Sequence, residues 1–312
     1  MASRKTGSPT DNGNKADMER SFKIALGSFV VSLAVLAIKY AAYWVTGSIA
    51  LLSDALESII NVVSAVAVIV SVKIASQPPD EEHPYGHHKA EYLSAVLVGS
   101  LIVAAALAIM NEAYAGFLHP KPIDAGWTGL AVNSVATIIN VAWAGFLIRQ
   151  GRIHRSASLV ADGKHLMADV VTSVGVVIGV VLVLLTGITQ LDSAIAALVA
   201  VHVLWSGWGV LKESASSLLD QAAPAEELAQ IREIISLNAE DAIEAHALRT
   251  RHAGKVTFID FHLVVSAEMT VGRSHDICDK VEEALRNAIS GAIITIHVEP
   301  EYKAKHKGII VV

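Results

Sequence analysis

From residue 21 to residue 219 the chain is a succession of apolar runs, most of them long enough to cross a bilayer, and nothing else in the sequence restricts its fold so strongly. A helical span needs about 20 mainly apolar residues. Six stretches qualify as candidates, at roughly 22–45, 48–74, 90–118, 126–149, 157–186 and 190–213. No strand-like alternation competes with them. The breaks between them are turn-like: Thr46-Gly47-Ser48, the polar stretch 77–88, Pro120-Lys121-Pro122, the arginine-rich 149–155 and Thr186-Gly187. The composition agrees, with 53% hydrophobic and only 17% charged residues, against about 25% charged in an ordinary soluble domain.

Lysine and arginine are distributed unevenly between the two sets of loops. One set holds Arg4, Lys5, Lys15, Arg20, Lys23, Lys73, Lys89, Arg149, Arg152, Arg155 and Lys212, and the other holds only Lys121. Cations collect on the cytoplasmic side of a membrane protein, so both termini are expected in the cytoplasm and the protein in the cell inner (plasma) membrane. Residues 1–20 are polar and expected to be disordered, without the apolar core of a secretory signal. The single cysteine, Cys278, leaves no room for an intramolecular disulfide, and a net charge of −6 gives no footprint for nucleic acid. From Pro224 the pattern becomes that of a soluble domain: a helix at 225–238, strands at 242–251 and 256–266, a helix at about 271–290 and a strand at 292–298. That order predicts an α+β unit with helices on one sheet face. The expected division is a 1–20 tail, a 21–219 membrane domain and a 220–312 cytoplasmic domain.

Ionisable groups inside apolar helices carry the functional signal. Each costs about 2.5–3.5 kcal/mol at the bilayer centre on insertion scales. The second run holds Asp54, Glu57 and Asn61, and the fifth holds Asp162, His165 and Asp169. Glu57 lies about ten residues past Gly47, and His165 about ten past Arg155, or roughly 15 Å into the membrane from opposite sides. The spacing of four within Glu57/Asn61 and His165/Asp169 places each pair on one helix face. Two such faces turned together offer four ligands, the number that tetrahedral zinc takes. A polar seam between helices would account for Asn61 or Asp54 alone, but it needs no buried carboxylates.

Two further clusters lie outside the apolar runs. The segment 77–91 holds Asp80, His83, His87 and His88 beside Glu81 and Glu82, a donor set suited to zinc, iron and neighbouring metals rather than to a plain solvated loop. The C-terminal domain holds His246, His262, His275, His297 and Glu299. His297 and Glu299, two apart on one strand, share a sheet face.

Together these residues resemble the cation diffusion facilitator family of divalent-metal/proton antiporters, from about Phe22 to Pro300. The resemblance rests on Thr46-Gly-Ser-Ile-Ala-Leu-Leu-Ser-Asp-Ala-Leu-Glu-Ser58, His83-Pro-Tyr-Gly-His-His-Lys-Ala-Glu91, Ala161-Asp-Gly-Lys-His-Leu-Met-Ala-Asp169, Ser217-Leu-Leu-Asp220 and His297-Val-Glu-Pro300. It implies a homodimer of six-helix protomers with ferredoxin-like cytoplasmic domains. The implied transport site is Glu57, Asn61, His165 and Asp169, and the loop site is Asp80, His83 and His87. The implied cytoplasmic sites use His246, His262, His275, His297 and Glu299, and Lys89 with Asp220 is the implied dimer charge pair. The chain departs from the family where the second helix usually carries His or Asp and then Asp. Here it carries Glu57 and then Asn61, an amide that is a weaker ligand than a carboxylate. Asp54 can substitute as a ligand or relay protons.

The expected function is efflux of a divalent metal cation, zinc first, with iron, manganese, cobalt or cadmium as the alternatives, driven by protons moving inward. Metal is both cargo and regulator, membrane lipid and a second copy of the chain are the partners, and no organic cofactor is called for. A metal-sensing or assembly partner of the same fold, which binds metal but transports weakly, is the alternative. An intramembrane metalloenzyme is disfavoured, because no HExxH or comparable motif lies on any span.

Overall fold

The computed structural model describes residues 9–46, 49–119, 127–188, 190–306 and 308–310. Six long helices come first: α1 Pro9–Thr46, α2 Ile49–Ala75, α3 Ala90–Leu118, α4 Trp127–Ile153, α5 Ala157–Thr186 and α6 Gln190–Leu218. Four of them contain a described stretch long and apolar enough to cross a membrane: Glu19–Ala41, Ser58–Ala75, Ala90–Leu118 and Ser193–Leu218. α4 and α5 match them in length, with 27 and 30 residues or about 40–45 Å each. Bulky apolar side chains such as Trp205 and Leu198 face outward on these helices, as lipid-facing residues do when the surrounding medium is hydrocarbon.

One boundary differs from the sequence reading. Helix α1 starts at Pro9, so residues 9–20 are helical rather than disordered. Proline suits the first helical position because its missing N–H would have no partner there and its φ is already helical. Residues 1–8, 47–48 and 120–126, Lys121 among them, lie outside the described residues.

α5 is the helix around which the membrane unit packs, touching α2, α3 and α4. Its approach to α4 depends on Gly163, where a Cβ would lie 2.7 Å from Ile148 Cγ1 and 3.0 Å from the Ile148 nitrogen. Small residues at such crossings let backbones come close, which helices in lipid use for packing. At its start α5 is held by Glu91, a buried carboxylate in the first turn of α3 that accepts hydrogen bonds from Ser156 Oγ and, at 3.1 Å, Ser158 Oγ. A carboxylate at a helix N-terminus also meets the positive end of the helix dipole.

The C-terminal unit contains α7 Ala225–Asn238, β1 Ala242–Ala253, β2 Val256–Val265, α8 Val271–Ala288, β3 Ala292–Pro300 and a two-residue strand β4, Ile309–Ile310. The sheet order is β3-β2-β1-β4, with β1 antiparallel to β2 and to β4, and β2 parallel to β3. Ile259, Phe261, Leu263 and Ile294 face a core completed by Ile231 and Ile235 of α7 and Ile277, Val281 and Leu285 of α8. The alternate residues of β1, β2 and β3 therefore occupy the opposite face.

Candidate functional site

In the membrane unit, α2 and α5 meet through polar side chains. Asn61 and His165 are both buried. Asn61 Nδ2 donates to Asp169 Oδ2 at 2.6 Å, linking the two helices across the pair of faces that the four-residue spacings select. His165, one turn earlier on α5, is 3% exposed, and neither ring nitrogen has a hydrogen-bond partner among the described residues. Asp54 and Glu57 belong to α2, but their side chains lie outside the described residues.

Asp162 carries no assigned role in the sequence analysis. It is 2% exposed and accepts Ser28 Oγ of α1 at 2.6 Å and Ser64 Oγ of α2 at 3.0 Å. One carboxylate thus ties three helices together. Asp162 stands one turn before His165 and two turns before Asp169, and Ser64 one turn after Asn61, so this junction lies one turn from the Asn61–Asp169 contact on α2 and two turns from it on α5. The available signal was Ser64, spaced three from Asn61 on the same face.

The 77–91 loop gathers Asp80, His83 and His87 so that one ligand atom of each lies within 4.8 Å of the others. The His83 amide donates to Asp80 Oδ1 at 2.6 Å, and the turn through Gly86 (φ 83°) returns His87 to Asp80, with Nε2 at 3.4 Å from Oδ2. The two imidazoles lie against each other at a tilt of 44°, with centroids 4.3 Å apart. The His83 amide, before the nearby imidazoles, holds the Asp80 carboxyl below its ordinary range, which keeps it ionised as a ligand must be. Lys89 occupies the position just before α3, whereas Asp220 (φ 60°) accepts from Arg251 Nη1 at 3.4 Å within the C-terminal unit.

On the sheet face away from α7 and α8, strand register aligns His246 with His262 and His262 with His297, a row of imidazoles across β1, β2 and β3. Glu299 sits at its centre. Oε2 is 3.3 Å from His246 Nε2, and Oε1 is 3.3 Å from His262 Nδ1 and 3.7 Å from His297 Nε2. His246, His262 and Glu299 form a second group whose ligand atoms lie within 4.8 Å of one another. Buried Glu299 Oε2 has no hydrogen-bond partner among the described residues. Two imidazoles and a carboxylate whose buried Oε2 lacks a hydrogen-bond partner fit a divalent ion such as zinc. His297 borders this group on its open side. His275 stays apart, 73% exposed and 3.7 Å from Asp279, although it lines the same groove as Glu299.

Sequence reasoning missed Glu244 as well. It is nearly buried on β1 and accepts from His246 Nδ1 at 3.0 Å, the Lys305 amide at 2.6 Å and the His306 amide at 2.9 Å. The Lys305 amide first, and then the His306 amide and His246, hold this carboxyl below its ordinary range against the opposing effect of burial.

The chain matches known proteins over nearly its whole described length. The cation efflux transmembrane domain model matches residues 25–219, and the model of the cation efflux protein cytoplasmic domain matches 223–301. The chain is 43% identical over 276 residues to the uncharacterized transporter sll1263 of Synechocystis sp., covering 88% of this chain and 89% of that one. It is 32% identical over 280 residues to the cation-efflux pump FieF of Pectobacterium atrosepticum, covering 88% and 91%. A solved structure of CzrB in its Zn form is 43% identical and covers 28% of this chain and 98% of that chain, with a TM-score of 0.25. With both domain models matched in order and cation-efflux pumps among its relatives, the chain belongs to the cation diffusion facilitator family of membrane-spanning cation-efflux transporters.

Proposed function

We propose that this transporter exports divalent metal ions from the cytoplasm in exchange for protons, with zinc as first substrate and iron, manganese, cobalt and cadmium as further candidates. The reading places a homodimer in the cell inner membrane with both termini in the cytoplasm, and it involves no enzymatic chemistry. The ion is held by Glu57, Asn61, His165 and Asp169, with Asp54 as a further ligand or proton relay. The observation that carries this reading is His165, a buried imidazole with two unpartnered nitrogens beside an amide–carboxylate contact between α2 and α5. An unsatisfied buried polar group costs about 1–3 kcal/mol, and a metal ion would give the lone pair of one ring nitrogen its partner.

Coupling follows from competition. Metal binds when His165 is neutral and the carboxylates are ionised, so binding releases protons and protonation releases metal. If α2 and α5 open alternately to the two sides, an inward proton gradient expels the ion. Glu57 and Asp169 together carry the two negative charges that balance a divalent cation.

The loop group and the sheet-face group support regulation by cytoplasmic metal. Occupied sites there would favour one arrangement of paired C-terminal domains and raise transport by shifting populations. Lys89 and Asp220 remain the proposed charge pair of the dimer.

The test is zinc flux into reconstituted vesicles under an imposed pH gradient. Zinc should move against the protons, and Asp169→Ala should abolish the movement. Equal flux with Asp169→Ala would refute the site. A second reading, a sensor that transports weakly, is favoured by the engagement of Asn61 with Asp169. Under that reading wild-type flux is near background and Asn61→Asp raises it.

A further inference from the structure

We propose that Glu244 is the positioning residue of the sheet-face metal site and that it couples this site to a C-terminal strap, described at residues 304–306 and 308–310, so that metal binding and strap docking stabilise each other. The inference rests on the reading that His246, His262 and Glu299 hold a divalent ion. It concerns a part of the chain beyond the matched cytoplasmic domain, which ends at residue 301.

The strap is built tightly onto β1. Ile310 pairs with Glu244 and Ile309 with Ala245. At Gly308 a Cβ would lie 2.4 Å from the Ala245 carbonyl oxygen, so only glycine admits this approach. Just before it, the Lys305 and His306 amides both donate to the Glu244 carboxylate, one to each oxygen.

The same carboxylate selects the state of His246. An ionised carboxylate only accepts, so the proton of the neutral imidazole lies on Nδ1, donated to Glu244 Oε1 at 3.0 Å. Nε2 is then left with its lone pair, 3.3 Å from Glu299 Oε2 and within the ligand group. Carboxylate–histidine–metal arrangements of this kind fix the ring and its tautomer, and losing the carboxylate typically weakens metal binding 10- to 100-fold. A metal on Nε2 makes Nδ1–H a stronger donor and fixes the Glu244 side chain where the two strap amides meet it. In turn, the docked strap holds Glu244 in the orientation that His246 requires. Two events sharing one carboxylate are energetically linked, and the linkage is reciprocal.

The experiment uses the full chain in detergent, with Asp80→Ala removing the loop group, zinc as the probe, and hydrogen exchange read at the Lys305 and His306 amides. In this background zinc should slow exchange at both amides about tenfold, within the usual range of such couplings. Glu244→Gln should weaken zinc at this site about 10- to 100-fold and remove the zinc-dependent protection. A chain ending at residue 303, which leaves Glu244 in place, should lose zinc affinity by the same factor that zinc protects the strap. His246→Ala identifies the site by removing its zinc equivalent. If His246→Ala removes no zinc, the metal-site reading itself fails and the proposal with it. If that equivalent is present but exchange at 305 and 306 ignores zinc, or truncation leaves affinity unchanged, the coupling alone is overturned.

Discussion

At position 162 a carboxylate is buried among helices that could have packed with apolar side chains, and two serine hydroxyls meet it there. Asp162→Ala would leave both hydroxyls without their acceptor, at about 1–3 kcal/mol each. Asp162→Asn keeps a carbonyl acceptor for one of them. Thermal melting of the detergent-solubilised protein should therefore rank wild type above Asn and Asn above Ala, and equal melting of Asn and Ala would remove the junction from the account. Much at this scale was legible beforehand. The spacings of four nominated Asn61, His165 and Asp169, and the structure brings Asn61 onto Asp169. Asp162 was seen but given no role, because a serine on an apolar helix does not show in the sequence what it will face. Glu244 was missed because two of its three donors are backbone amides about sixty residues away.

At the scale of elements, the apolar runs determined the six helices to within a few residues, apart from the early start of α1 at Pro9. Strand periodicity fixed which face His297 and Glu299 share, but not that His246, His262 and His297 would align, because register arises only when strands pair. The two-residue β4 is too short to carry a pattern of its own. Helix α8 offers a direct test of the C-terminal core. Cys278 lies on its inner stripe with Ile277, Val281 and Leu285. Burial first, and then the Glu282 and Asp279 charges, push the thiol pKa up, so the reactive thiolate is scarce at neutral pH. Cys278 should resist alkylation in the folded protein. Leu285→Ala, at a cost of about 2–5 kcal/mol, should accelerate its modification markedly, and fast labelling of the wild type would contradict the placement of α8.

The whole molecule joins a membrane unit containing one buried candidate ion site to a C-terminal unit with a row of imidazoles running from nearly buried His246 to exposed His297, with a further ligand group in the loop between α2 and α3. Three candidate sites on one chain complicate any bulk measurement of metal. Asp80→Ala, His246→Ala and His262→Ala combined in one chain remove the loop and sheet-face groups while leaving every residue of the membrane site in place. Zinc remaining on this purified protein, characterised by X-ray absorption, decides whether the membrane helices hold an ion. About one equivalent should persist, bound by an imidazole nitrogen and oxygen ligands and lost on adding His165→Ala. No zinc on the triple variant, or an equivalent that survives His165→Ala, would contradict the account.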